Sequence, residues 1–137
     1  MAHWLIKTEP GNWSWQDQVK AGEKGTFWNG IRNHSAKLNL MAMRVGEQAF
    51  FYHSNEGKEI VGIVEVIKPY YPDPSDPSGK FGMVDVRAVE GLKKPISLDA
   101  IKANPRLKKM VLVNNSRLSV QPVSEIEWKI IRAEGGL

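Results

Sequence analysis

The chain has 137 residues, 42% hydrophobic and 25% charged, with no cysteine and a formal net charge of +4. That balance excludes a disordered chain, disulfides and thiolate chemistry, and no apolar run approaches the roughly 20 residues that span a bilayer. One domain over residues 1–137 is expected, in a cytoplasmic setting without a membrane partner, and the excess of Lys and Arg suits a polyanion.

In chain order, Trp4-Leu5-Ile6 reads as a short buried strand that Pro10-Gly11 ends, leaving Lys7, Thr8 and Glu9 at its terminus. Ser14 with Asp17 three residues on forms a capping box, so a helix begins near Trp15 and stops around Gly22. After Phe27-Trp28, Asn29 is the expected N-cap of a helix from about Gly30 to Met43. The spacing of Ile31, Leu38, Met41 and Val45 puts them on one face toward the core, with Asn33, Lys37 and Arg44 on another.

Gln48 to His53 is a strand buried on both faces, because Phe50 and Phe51 point to opposite sides. A hairpin connection over Ser54 to Lys58 leads to the return strand Glu59 to Ile67, in which Gly62 marks a bulge or a close approach. Lys68 to Gly82, with Pro69, Pro72, Pro74 and Pro77, is expected to be a surface loop. Met83 to Val89 alternates as a half-buried strand, and Ser97 caps a short helix through Ala103. Pro105 starts a further turn, Met110 to Val113 reads as an apolar strand, and Arg117 to Val120 as a strand or extended segment. Ser124 with Glu127 is a second capping box, opening a final helix through about Arg132. The tally is an α+β fold: a mostly antiparallel, curled sheet of about six strands with helices inserted between them, forming a partly closed barrel.

His3, His34 and His53 show no paired spacing, so neither a metal nor a cofactor is expected. Tyr52-His53-Ser54 sets a His beside a Ser, but consecutive strand residues face opposite ways, and phosphate-loop and dinucleotide patterns are absent. A base held out of its stack needs a flat apolar wall and a few edge-reading groups, with cations for the flanking phosphates. Trp28 and Tyr52 or Tyr71 can stack. Asn33, Ser54 and Gln121 can address the edge, and Lys7, Arg32, Lys37, Arg44 and Arg117 can hold phosphates, helped by amides at the start of the Gly30 helix. Two alternatives stay open: an enzyme using Glu9, His53 and Asp85 as acid–base groups, and a protein-interaction module with a vestigial pocket.

The ordered segments WLIKTEP, WNGIRN, FFYHS, IVGIVEV, YPD, VDV and RLSVQPV, from Trp4 to about Ile131, resemble the EVE-domain family. That family belongs to the PUA-like superfamily, whose relatives include the YTH readers of methylated adenine. The resemblance implies a pseudo-barrel that reads a modified base, a modified cytosine in DNA or a modified RNA base, without catalysis. Its pocket motifs fall at Trp28, Asn29, Arg32, Asn33, Tyr52, His53 and Ser54. Further matches are Lys7, Thr8 and Glu9, and the run Arg117, Leu118, Ser119, Val120, Gln121 and Pro122. Where the family tends to show Ala-Arg-Asn, this chain has Ala36, Lys37 and Leu38, keeping the charge without the guanidinium fork.

Overall fold

A computed structural model describes all 137 residues. The strands are β1 (His3–Thr8), β2 (Thr26–Trp28), β3 (Gln48–His53), β4 (Glu59–Pro72), β5 (Gly82–Ser97) and β6 (Val120–Val123). The helices are α1 (Trp15–Lys20), α2 (His34–Ala42), α3 (Leu98–Ala103), α4 (Val111–Asn114) and α5 (Glu125–Glu134), with short 3-10 turns at Gly22–Lys24 and Pro105–Leu107. The six strands form one sheet in the order β2-β5-β4-β3-β1-β6. All neighbours are antiparallel except β1 and β3, which run parallel with Trp4 opposite Ala49 and Lys7 opposite Tyr52. The edge strands β2 and β6 do not pair, so the curled sheet stays open. Helix α2 packs on β4, β5 and β6, and the Asn39 side chain donates to the Val120 carbonyl (2.7 Å).

Period-2 alternation divides the core between the two faces of the sheet. Trp4, Ile6, Phe51, Val64, Val84 and Val86 pack inward with Ala36 and Leu40 of α2. Leu5, Phe50, Ile63 and Ile96 pack outward against Trp128 and Ile131 of α5 and Ile101 of α3. Phe50 and Phe51 are both fully buried, as expected for the central strand β3. Gly62 meets both expectations for it. The register slips beside it, and a Cβ there would lie 2.5 Å from the Trp15 ring, which rests on the bare backbone.

Both capping boxes form, at Ser14 with Asp17 and at Ser124 with Glu127. Six other expectations need correction. Strand β5 runs on to Ser97 instead of ending near Val89, and the segment from Arg117 is a turn, with β6 starting only at Val120. Helix α2 starts at His34, with Asn33 as N-cap: Gly30 has φ +80°, and the Asn33 side chain accepts from the Ala36 amide (2.9 Å). Its buried face is Ala36, Leu40 and then Met43, while Leu38, Met41 and Val45 are exposed. Small Ala36 lets the helix lie close to the sheet, which selects that stripe over the greasier one. The segment after Met110 is one helical turn, closed by Asn114 donating its side-chain amide to the Lys108 and Met110 carbonyls. A four-residue apolar run does not distinguish strand from helix by periodicity. The stretch from Lys68 is strand as far as Pro72. Beyond it Asp73 and Asp76 turn inward and are buried, so this is no solvated loop.

Candidate functional site

The turn between β2 and α2 is fixed from a distance. The Asp73 carboxylate accepts from the Gly30 amide (2.9 Å), Arg32 Nη1 (3.2 Å), the Ser75 amide (2.8 Å) and the Ser75 hydroxyl (2.6 Å). Burial pushes this acid up, but the Ser75, Gly30 and Arg32 donors outweigh it and hold the pKa down at about 2. Asp76 repeats the device one Asp-Pro-Ser unit later. Hydrogen bonds from Ser78 and the Phe81 amide keep it at about 2 despite burial. Arg32 also donates to the Ser75 hydroxyl and lies over the Phe81 ring, which Lys37 covers as well (5.8 and 5.7 Å).

Two hollows open beside this turn. The smaller, about 150 Å³, is lined by Trp13, Thr26, Phe27, Trp28 and Asn29. The larger, about 350 Å³, is lined by Phe27, Asn29, Asp73, Pro74, Ser75 and Met83. Trp13 is held by its indole N–H donating to Gln18 (2.9 Å), whose amide donates in turn to the Val86 carbonyl (3.2 Å). Trp28 is 7% exposed and meets Phe51 edge-on at 5.6 Å, so it is core and wall at once. Its indole N–H has no partner in the protein and is not sealed from solvent. Exposed Asn29 also keeps its side-chain amide free, at the mouth of both hollows.

The other expected site residues lie elsewhere. Asn33 spends its side chain on the cap of α2. Gly30 gives its amide to Asp73, so the amides expected at the helix start are displaced to Asn33 and beyond. Lys7, Tyr52 and Ser54 line a separate hollow of about 190 Å³ on the outer face, with Lys58 and Ser116. There Lys7 donates to the Ser116 carbonyl (2.7 Å), makes no ion pair, and has its pKa lowered by burial. Tyr52 is raised, first by burial and then by the Asp99 charge. His53 lines a fourth hollow with Trp15; its Nε2 accepts from the Trp15 amide (3.0 Å), and burial lowers its pKa. Tyr71 donates its hydroxyl to Asp85 beneath Lys68. Burial and that bond raise it to about 12. Gln121 is fully buried on the outer face beside Leu5, donates to the Leu118 carbonyl (2.8 Å), and leaves its Oε1 unpartnered. Ser119 accepts the Lys7 amide through its carbonyl, while the Arg44 and Arg117 side chains are exposed. Trp13, Thr26, Phe27 and Met83 were not signalled. The free aromatic Phe27, next to Trp28 on a three-residue strand, was the available clue.

The EVE domain family matches residues 2–134. Thymocyte nuclear protein 1 of Gallus gallus is 37% identical over 94% of the chain, which spans 66% of that protein's length. Among solved structures, Rpa0253 of Rhodopseudomonas palustris superposes with a TM-score of 0.94 at 58% identity, covering 99% of this chain and 94% of that one. Human THYN1 protein, solved in complex with 5-methylcytosine-containing DNA, superposes with a TM-score of 0.94 at 33% identity, covering 100% and 99%. The YTH domain of Zygosaccharomyces rouxii MRB1 shares the fold at 19% identity, with a TM-score of 0.59 and coverage of 99% and 87%.

Proposed function

The chain belongs to the EVE domain family, and from that premise we propose that it reads a modified base in nucleic acid, without catalysis. The base is a modified cytosine in DNA, turned out of its stack into the hollow between Trp13 and Trp28. The likeness along the whole chain to a human protein seen with 5-methylcytosine DNA carries this reading. The local chemistry supports it: aromatic walls for the ring, and two unspent polar groups, the Trp28 indole N–H and the Asn29 amide, for its edge. Arg32, bonded to Asp73 and Ser75 of the adjoining hollow, and Lys37, which shares the Phe81 ring with it, are assigned to the flanking phosphates. Lys7, without a counter-ion, is assigned to a more distant one.

The acid–base groups of the enzyme alternative are spoken for separately. His53 Nε2 accepts the Trp15 amide, Asp85 the Tyr71 hydroxyl, and Glu9 the Asn12 side chain (3.3 Å). His53 Nε2 has a single lone pair, and with that pair occupied it is poorly placed to take a proton; the three groups also do not converge on one hollow.

The test is a titration against oligonucleotides carrying cytosine, 5-methylcytosine, 5-hydroxymethylcytosine, adenine or N6-methyladenine, as DNA and as RNA, at two salt concentrations. Selective tightening on one modified cytosine in DNA is expected. Asn29→Ala should abolish the selectivity, and Lys37→Ala should lower the salt slope by about one. Weak, uniform, salt-sensitive binding would leave only a basic surface and refute the reading. Selectivity for a modified adenine, or for RNA, would move the ligand.

A further inference from the structure

Phe27 is the one ring at the site that the fold does not use. It is 55% exposed, belongs to neither core, and stands on the outer side of β2, whereas Thr26 and Trp28 face inward. It lines both hollows, which also share Asn29. Whatever fills the larger hollow is therefore a direct neighbour of whatever fills the smaller one.

We propose that the larger hollow seats the nucleotide adjacent to the recognised base, stacked on Phe27; this rests on the reader assignment above. Its lining suits a flat ring: Pro74 and the buried Met83 line it together with Phe27. The Asp73 carboxylate is wholly inaccessible and has Arg32 as its counter-ion, which offsets its charge toward a nucleotide in the hollow. Arg32 is held by Asp73 and Ser75 and stays 42% exposed, so its guanidinium waits beside the pair of hollows in a fixed pose for the phosphate joining the two nucleotides. Stacking on a phenyl ring accepts every base. The hollow thus supplies affinity that depends on the neighbour's presence and aromatic area, with purines above pyrimidines, while the Trp28 hollow supplies the selection.

The test is a cycle between protein and ligand, by fluorescence anisotropy with the full chain. The probe is a DNA oligonucleotide with one 5-methylcytosine, its 5′ or 3′ neighbour being adenine, thymine or an abasic residue. The wild type should lose roughly tenfold in affinity when the neighbour on one side becomes abasic, within the range for one aromatic–base stack. Phe27→Ala should lose a similar factor on the intact probe and nothing further on the abasic one. Phe27→Leu, apolar but not flat, should behave like Ala, and Phe27→Tyr should keep the neighbour effect. Melts within a few degrees of wild type confirm that these exposed-site variants fold. Indifference of the wild type to an abasic neighbour on both sides overturns the proposal, as does a Phe27→Ala loss that adds in full to the abasic loss. Equal wild-type binding of methylated and unmethylated probes refutes instead the reader assignment, and this proposal with it.

Discussion

Replacing Asp73 tests how the site is held. Asp73→Asn preserves shape but removes the charge and puts a donor where at least one donor already points. The carboxylate receives two backbone amides, one hydroxyl and one guanidinium, with no access to water. Hydrogen bonds to a charged acceptor contribute about 1.5–3 kcal/mol each, and part of that returns because Gly30 and Ser75 are exposed and can bind water. A net loss of about 2–4 kcal/mol follows. With an unfolding entropy of about 0.3 kcal/mol/K for a chain of this length, Tm should fall by about 7–14 °C in a thermal melt at pH 7. The half-exposed Arg32 is a different matter. Its ion pair contributes at most about 1 kcal/mol, so Arg32→Ala should cost under about 4 °C. The folded Asp73 titrates at about 2 against an ordinary 3.8, so its charge-dependent stabilisation is complete above pH 3.8 and is lost as pH falls toward 2. The gap between wild type and Asp73→Asn should close over that window. Equal losses from Arg32→Ala and Asp73→Asn would mean that the ion pair, not the amide bonds, ties the turn, and would refute the reasoning.

Trp28→Ala should cost about 3–5 kcal/mol, because the ring is a wall of the inner core. Exposed Asn29→Ala should leave the melt unchanged, and an unaffected Trp28→Ala melt would take Trp28 out of the core. His53 should titrate below 6.5 by NMR, since burial disfavours its charge; stability present above 6.5 is then lost as pH falls through and below that value, and a midpoint at or above 6.5 contradicts this. Gly62→Ala should destabilise by about 1–3 kcal/mol and alter tryptophan emission as Trp15 is pushed off the backbone, whereas a neutral melt would show that the ring yields freely.

Strands and caps were legible because their signals are local. Phe50-Phe51 announces a strand buried on both sides, and Ser14 and Ser124 each find their partner three residues on. The start of α2 was not. Asn29 was the expected cap, yet the cap is Asn33, because Asp73 draws the Gly30 amide and Arg32 out of any helix. The same carboxylate sits in a run that reads as a polar loop, and nothing in Asp-Pro-Ser shows which donors it will gather. Trp28 and Asn29 were placed beside a hollow, but Tyr52, Ser54 and Lys7 sit at another. Leu5, at the same parity along β1 as Lys7, packs in the outer core, whereas Trp28 packs in the inner one. That partition becomes visible only when β1 is known to run parallel to β3.

The place of β1 has a consequence for how the chain is made. β1 lies between β3 and β6, with Ile6 opposite both Phe51 and Val120. Within this domain synthesis delivers β1 before the other strands, yet its second partner, β6, emerges only after all of them. Until then one long edge, carrying Trp4, Leu5 and Ile6, stays open to other chains, and the antiparallel ladders of β3, β4 and β5 can close ahead of it. Contacts so distant in sequence make the last pairing the slow one. A chain stalled before residue 120 should therefore aggregate, although most of its sheet is already present.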